Sequence, residues 1–154
     1  MKKISLIFLM FFVLQNCGYT PMYSSNQKNN FYIEKLNFSN GDEELADLIK
    51  FNLSNYMQKK DGSKYIIIAN VNYQKKELSR DTSGEIQDYE LSSEILFQVQ
   101  SNTLNEKVII KEKFKMSNFN DEFEERQYEK NIKRNMARSI TSQLLSRISR
   151  FNAN

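Results

Sequence analysis

The sequence predicts an α+β domain in which two helices cover one face of a four-stranded, mostly antiparallel sheet, in the order β-α-β-β-β-α. Three observations carry this expectation. Apolar residues recur at helical spacing in two stretches, residues 42–57 and 120–150. Between them, residues 63–116 alternate apolar and polar side chains, the pattern of strands buried on one face. Glycines 41, 62 and 84 fall at the joints between these stretches, where the chain must turn.

The first element is "FYIEKLNF", residues 31–38, short and rich in aromatic and branched side chains, which suits a strand despite its poor alternation. The first helix places Leu45, Leu48, Ile49, Leu53 and Tyr56 on one side. Asn40 is positioned to cap it, with Glu43 completing a capping box, and Lys59 and Lys60 suit the negative end of its dipole. Asp61-Gly62 then ends it.

Three strands follow. Tyr65, Ile67, Ala69, Val71 and Tyr73 form the buried side of the first. In the second, residues 86–100, Tyr89, Leu91, Ile95, Phe97 and Val99 point inward; in the third, residues 107–116, Val108, Ile110, Phe114 and Met116 do. Residues 75–85 read as the polar connection between the first two, turning near Gly84. A turn at Thr103 and Leu104 that sets Gln100 opposite Lys107 would bring Val99 to Val108, Phe97 to Ile110 and Leu91 to Met116. The last helix repeats Tyr128, Ile132, Met136, Ile140, Leu144 and Ile148 every four residues, with an acidic start and a basic end that complement its dipole.

A chain of 154 residues with 40% hydrophobic and 27% charged content suits a single core, expected over residues 31–154. What precedes it differs. "MKKISLIFLMFFVLQ" combines two lysines with an apolar run from Ile4 to Leu14, the layout of a signal peptide expected over residues 1–16. As a helix that run covers roughly 16 Å, about half of a hydrocarbon core, so it is too short to span. Residues 17–30, "CGYTPMYSSNQKNN", are polar and turn-forming and read as an extended leader.

Cys17 is the only cysteine, so an exported form has no internal disulfide partner for it. Its place just past an apolar run, three residues after Leu14, resembles the bacterial lipobox, in which the thiol receives a diacylglycerol and becomes the mature N-terminus. One acyl chain binds a membrane marginally, whereas two or three on one residue hold it stably. Cys17 is therefore expected to be a tether and not a nucleophile.

Composition narrows the chemistry. Histidine is absent, which removes Ser-His-Asp triads, Cys-His pairs and ordinary zinc sites. "SNQK", residues 25–28, matches S-x-x-K but lies in the leader without a K-T-G partner. Glu43-Glu44 and Glu124-Glu125 read as solvated first-turn charges, and there is no glycine-rich phosphate loop. Neither an enzyme nor a cofactor is expected. Without Lys2 and Lys3 the chain holds 20 basic and 19 acidic residues, a balance that demands no nucleic acid partner.

One constellation suits a ligand. Lys107, Lys111, Lys113 and Lys115 share one face of the third hairpin strand at about 7 Å intervals, a spacing suited to phosphates or carboxylates. The competing reading is a salt-bridged outer face that resists aggregation, with Glu94 opposite Lys113 and with Glu90 and Asp88 near the strand's end. Arg134, Arg138, Arg147 and Arg150 likewise read as a solvated helix face.

"CGYTPMY", residues 17–23, resembles the start of the mature LptE lipoproteins of lipopolysaccharide assembly, particularly the alphaproteobacterial ones, and the order of elements resembles that family as well. The resemblance implies an outer-membrane lipoprotein that faces the periplasm and plugs an LptD-type β-barrel. It also implies direct lipopolysaccharide binding, for which the lysine row is the candidate contact. The alternative is a generic outer-membrane lipoprotein with an adaptor role. A carboxylate-dependent hydrolase would require two facing acids in a cleft.

Overall fold

The computed structural model describes residues 30–58 and 60–152. The expected signal peptide, Cys17, nearly all of the leader and Lys59 lie outside them. Six elements follow in the expected order: β1 Phe31–Gly41, α1 Glu43–Gln58, β2 Ser63–Arg80, β3 Ile86–Gln100, β4 Asn105–Ser117 and α2 Glu122–Phe151. The sheet order is β1-β2-β3-β4. β1 runs parallel to β2, joined by the α1 crossover, while β2, β3 and β4 form an antiparallel meander.

Alternation along the strands decides which face the helices cover. Ile67, Ala69 and Val71 of β2, Leu91, Ile95, Phe97 and Val99 of β3 and Ile110 and Met116 of β4 are buried beneath the helix layer. The helices answer with Leu45, Ile49 and Leu53 of α1 and Met136, Ile140, Leu144 and Ile148 of α2, each fully buried. Both helices run in the same direction. The start of α1 meets Lys133 of α2, and α2 ends at Asn152, whose side chain donates to the Asn30 carbonyl (3.4 Å) and accepts from the Tyr65 hydroxyl (3.0 Å). The point where the leader enters the domain therefore sits beside the C-terminal end of α2. At the opposite end, the β2–β3 turn is tied by Asp81, whose carboxylate accepts from the Ser83 and Glu85 amides.

Four expectations need correction. The β3–β4 register is displaced by two residues from the one predicted: Gln100 pairs with Asn105, Phe97 with Val108, Ile95 with Ile110 and Leu91 with Phe114. A tighter loop, closed by the Ser101 amide donating to the Leu104 carbonyl (2.8 Å), is the reason, and a two-residue slip leaves every side chain on its own face. Asn40 does not cap α1 because it still pairs with Asn70 in the sheet; Asp42 caps it, accepting from the Leu45 amide (2.8 Å). β2 continues through residues 75–80, read from sequence as connection, because Lys75, Lys76, Glu77, Ser79 and Arg80 find partners on β3, with the register shifting at Leu78. Tyr128 is 45% exposed and lies against Phe119. Four-residue spacing drifts about 40° per step around a 3.6-residue helix, which carries the first member of the stripe out of the core.

The core contains two polar atoms without partners among the described residues, the hydroxyls of Ser93 and Thr141. An unpartnered buried hydroxyl destabilises the folded state, and valine keeps the threonine shape without it. Thr141→Val is expected to leave stability unchanged or raise it by about 1 kcal/mol in urea unfolding. A loss of that size would instead show the hydroxyl to be bonded.

Candidate functional site

With both helices on one side, the other face of the sheet is uncovered. It divides into two halves along the strands. Toward the leader end, β2 presents Ile66, Ile68 and Asn70, which pair in register with Gln100, Gln98 and Leu96 of β3. β4 adds Asn105, Lys107 and Ile109 alongside. Leu96 and Ile109 are 38% and 56% exposed, so these positions are amide-rich and aliphatic, with Lys107 the one charge among them, and Lys35 of β1 pairs in register with Ile66.

The other half is ionic. Lys111, Lys113 and Lys115 share a face with Lys107, as the alternation requires, and each meets a carboxylate of β3. Lys111 pairs with Glu94 (2.7 Å), Lys113 with Glu90 (3.0 Å) and Lys115 with Asp88 (2.9 Å). The register correction changes the expected partner of Lys113, since Glu94 lies opposite Lys111. Hydrogen bonds from Ser79 and Lys115 hold the Asp88 carboxyl below the usual carboxylate range. Exposed pairs of this kind contribute at most about 1 kcal/mol each. Their clearer effect is to cancel most of the row's charge; Lys107 alone of the four has no acidic partner among the described residues.

A second polar cluster lies on the helix side, and sequence reasoning missed it. Lys133 of α2 is 7% exposed. Its ammonium donates to Asp42 (2.8 Å) and Glu44 (3.1 Å) at the start of α1 and sits over the Tyr73 ring (4.4 Å). Tyr73 donates to Glu129 (2.7 Å), Glu129 accepts from Lys75 (3.1 Å), and Lys75 also pairs with Glu125 while lying over Tyr89. Burial alone lowers a lysine, but the hydrogen bonds it donates to Asp42 and Glu44 outweigh that and leave Lys133 above its ordinary value. Burial, then the bond to Glu129, pushes the Tyr73 phenol well upward. The signal was present in the sequence, because Lys133 stands among Ile132, Met136, Ala137 and Ile140, where a solvated cation does not belong. This cluster fastens α1, α2 and β2 together.

Among the described residues no group of three or more histidine, cysteine, aspartate or glutamate side chains is arranged to hold a metal ion, and no helix is long and apolar enough to cross a membrane. Comparison with known proteins finds no matching family model and no matching curated protein. The likeness is structural, and it is to bacterial lipoproteins. The rare lipoprotein B of Shewanella oneidensis superposes with a TM-score of 0.55 at 16% identity, covering 76% of this chain and 98% of that one. Lipoprotein B of Nitrosomonas europaea gives 0.54 at 13%, with 83% and 90% covered, and a minor lipoprotein of Acinetobacter baumannii gives 0.51 at 15%, with 76% and 94% covered. At these identities the fold is what is shared.

Proposed function

We propose that the chain is an outer-membrane lipoprotein of LptE type, tethered through Cys17, which plugs an LptD-type β-barrel and supports lipopolysaccharide transport. The observation that carries this reading is the joining of two independent features. The domain has a fold found along nearly the whole length of several bacterial lipoproteins, and the segment entering it begins with Cys17-Gly18-Tyr19, two polar residues past an apolar run. A plug must present polar surfaces to a polar barrel interior. The ionic half of the open sheet face and the charged outer side of α2 meet that requirement. No catalytic role is assigned.

Lys107, Lys111, Lys113 and Lys115 are the candidate contacts for lipopolysaccharide phosphates. Because carboxylates occupy the last three, Lys107 contributes the free charge of the row.

The test is gentle extraction of the tagged protein after crosslinking in membranes, with a Cys17→Ala control, followed by identification of what co-purifies. Recovery of a large β-barrel with lipid-modified Cys17 is the expected result. A folded, lipidated protein that captures no barrel would remove the plug reading. Lipopolysaccharide retained by the purified complex is expected to fall with Lys107→Gln, and an unchanged amount would remove the lysine row from the binding surface.

A further inference from the structure

The half of the open sheet face nearest the leader carries an aliphatic strip that nothing covers among the described residues. Ile66 and Ile68 of β2 are half-buried there, and Leu96 of β3 and Ile109 of β4 are exposed. Leu96 stands opposite both Ile109 and Asn70, and Asn70 is two residues beyond Ile68 on the same face, so the four side chains run diagonally across three strands. Amides of Asn70, Gln98 and Gln100 border the strip. Burying aliphatic surface of this kind is favourable.

The chain itself supplies a segment of matching chemistry. The leader joins β1 at Asn30, whose carbonyl accepts from the Ser63 amide (2.7 Å) at the same end of the sheet as the strip. Residues 17–30 hold Tyr19, Pro21, Met22 and Tyr23 close together, then a run of hydroxyl and amide side chains, with no acid and with Lys28 as the one cation. That composition suits aliphatic side chains bordered by amides. It offers little to the ionic half, where ammonium and carboxylate groups already satisfy one another.

The length is sufficient. Asn70 lies seven residues along β2 from Ser63, about 23 Å, and β4 lies three strand spacings from β1, about 14 Å, which puts Ile109 about 27 Å from the point of entry. Extended, the leader carries Tyr19 about 36 Å from Asn30.

We infer that the leader folds back over the open sheet face and seats Tyr19, Met22 and Tyr23 on this aliphatic strip. A segment of the same chain holds a high effective concentration at the strip, which a separate partner of equal chemistry lacks. Lys107 keeps its charge, because the leader brings no acid to it. The docked path carries Cys17 away from the Asn30 corner toward β4, so that an acyl anchor holds the domain through its open face. Only this last consequence rests on the tether reading of Cys17.

The test is disulfide trapping in the full-length chain carrying Cys17→Ala, which removes the one native thiol and lipidation with it. Thr20→Cys is combined either with Gln98→Cys, at the border of the strip, or with Phe51→Cys, on the outer side of α1 and 77% exposed. Phe51 lies about 11 Å along α1 from its leader-side end, so the leader reaches both sites. Intramolecular closure under mild oxidation is timed on non-reducing gels. The expected result is closure at least about tenfold faster at Gln98 than at Phe51. The advantage should vanish in Tyr19→Ser/Met22→Ser/Tyr23→Ser, which alters no described residue, and in Leu96→Asn/Ile109→Asn. Equal rates at the two sites, or an advantage that the leader variant leaves unchanged, would overturn the inference. Crosslinked dimers in place of closed monomers would also overturn it, by giving the strip to the leader of a second copy. No barrel enters the readout, so a failure here leaves the plug reading to its own experiment.

Discussion

Gly41→Ala is expected to abolish stable folding, with a loss of more than about 4 kcal/mol. Gly41 has φ +118°, and a Cβ built there would stand 1.5 Å from the carbonyl oxygen of Val71 and 2.6 Å from its carbon. Both obstacles are backbone of the neighbouring strand, so no side-chain rotation relieves them. The same Val71 carbonyl accepts from the Asp42 amide (3.3 Å) as the chain leaves the sheet for α1. Relief by moving the strand would therefore also disturb the first turn of the helix. Gly84→Ala is the internal comparison, because its φ is also positive, +89°, while nothing lies within 4 Å of the added atom. Backbone strain alone costs about 1 kcal/mol at such a position. Circular dichroism and urea unfolding of the two variants separate the terms, and a folded Gly41→Ala protein of near-parental stability would refute the steric account.

Lys133→Met is expected to cost about 3 kcal/mol in urea unfolding, since it keeps the length of the aliphatic stem but strands two carboxylates beside an apolar wall. Asp42 and Glu44 keep 22% and 44% of their side-chain surface exposed, so water solvates part of the orphaned charge and the loss falls at the lower end for broken buried pairs. The cap of α1 survives, because Asp42 serves Leu45 through one oxygen and Lys133 through the other. A pH arm gives the second signature. Lys133 is raised above 10.5 in the folded protein, so the stability it provides is complete below its unfolded value and is lost only as pH rises through the folded one. The upward displacement of Tyr73 above 10.0 has the same sign, since the folded state resists losing that proton. The parental protein should thus lose stability steeply above about pH 10, and Lys133→Met less so. Equal stability of parent and variant at neutral pH would show that the cluster fastens nothing.

The segmentation was legible because it depends on period alone. Helical stripes, alternating strands and glycine joints each have a residue pattern that survives without knowledge of partners, as Ile67, Phe97 and Ile140 show by being fully buried. Register was not legible to the same degree. Burial selects the parity of a pairing, and Phe97 facing Val108 or Ile110 satisfies parity equally, so loop geometry decided it. The cap of α1 was misplaced by two residues because Asn40 and Asp42 are both good caps, and the choice between them depended on how far β1 extends. For the lysine row, the sequence supplied the shared face and the acids able to oppose it, while the degree of charge cancellation depended on diagonal reach between strands. Lys133 was not singled out, although its place beside Ile132 and Met136 on the stripe marked it as internal.

The helix that follows the sheet in the chain also closes the domain. α1 lies over the sheet from the crossover onward, yet its inner side chains meet those of α2, which occupies residues 122–151 of 154. A chain interrupted before Glu122 would hold a complete sheet with half a cover, leaving Phe97, Ile95 and Met116 without the layer that buries them. The early strands gain their full cover only when α2 arrives, so the chain stays pliable until that helix docks, and the domain becomes rigid in one late step.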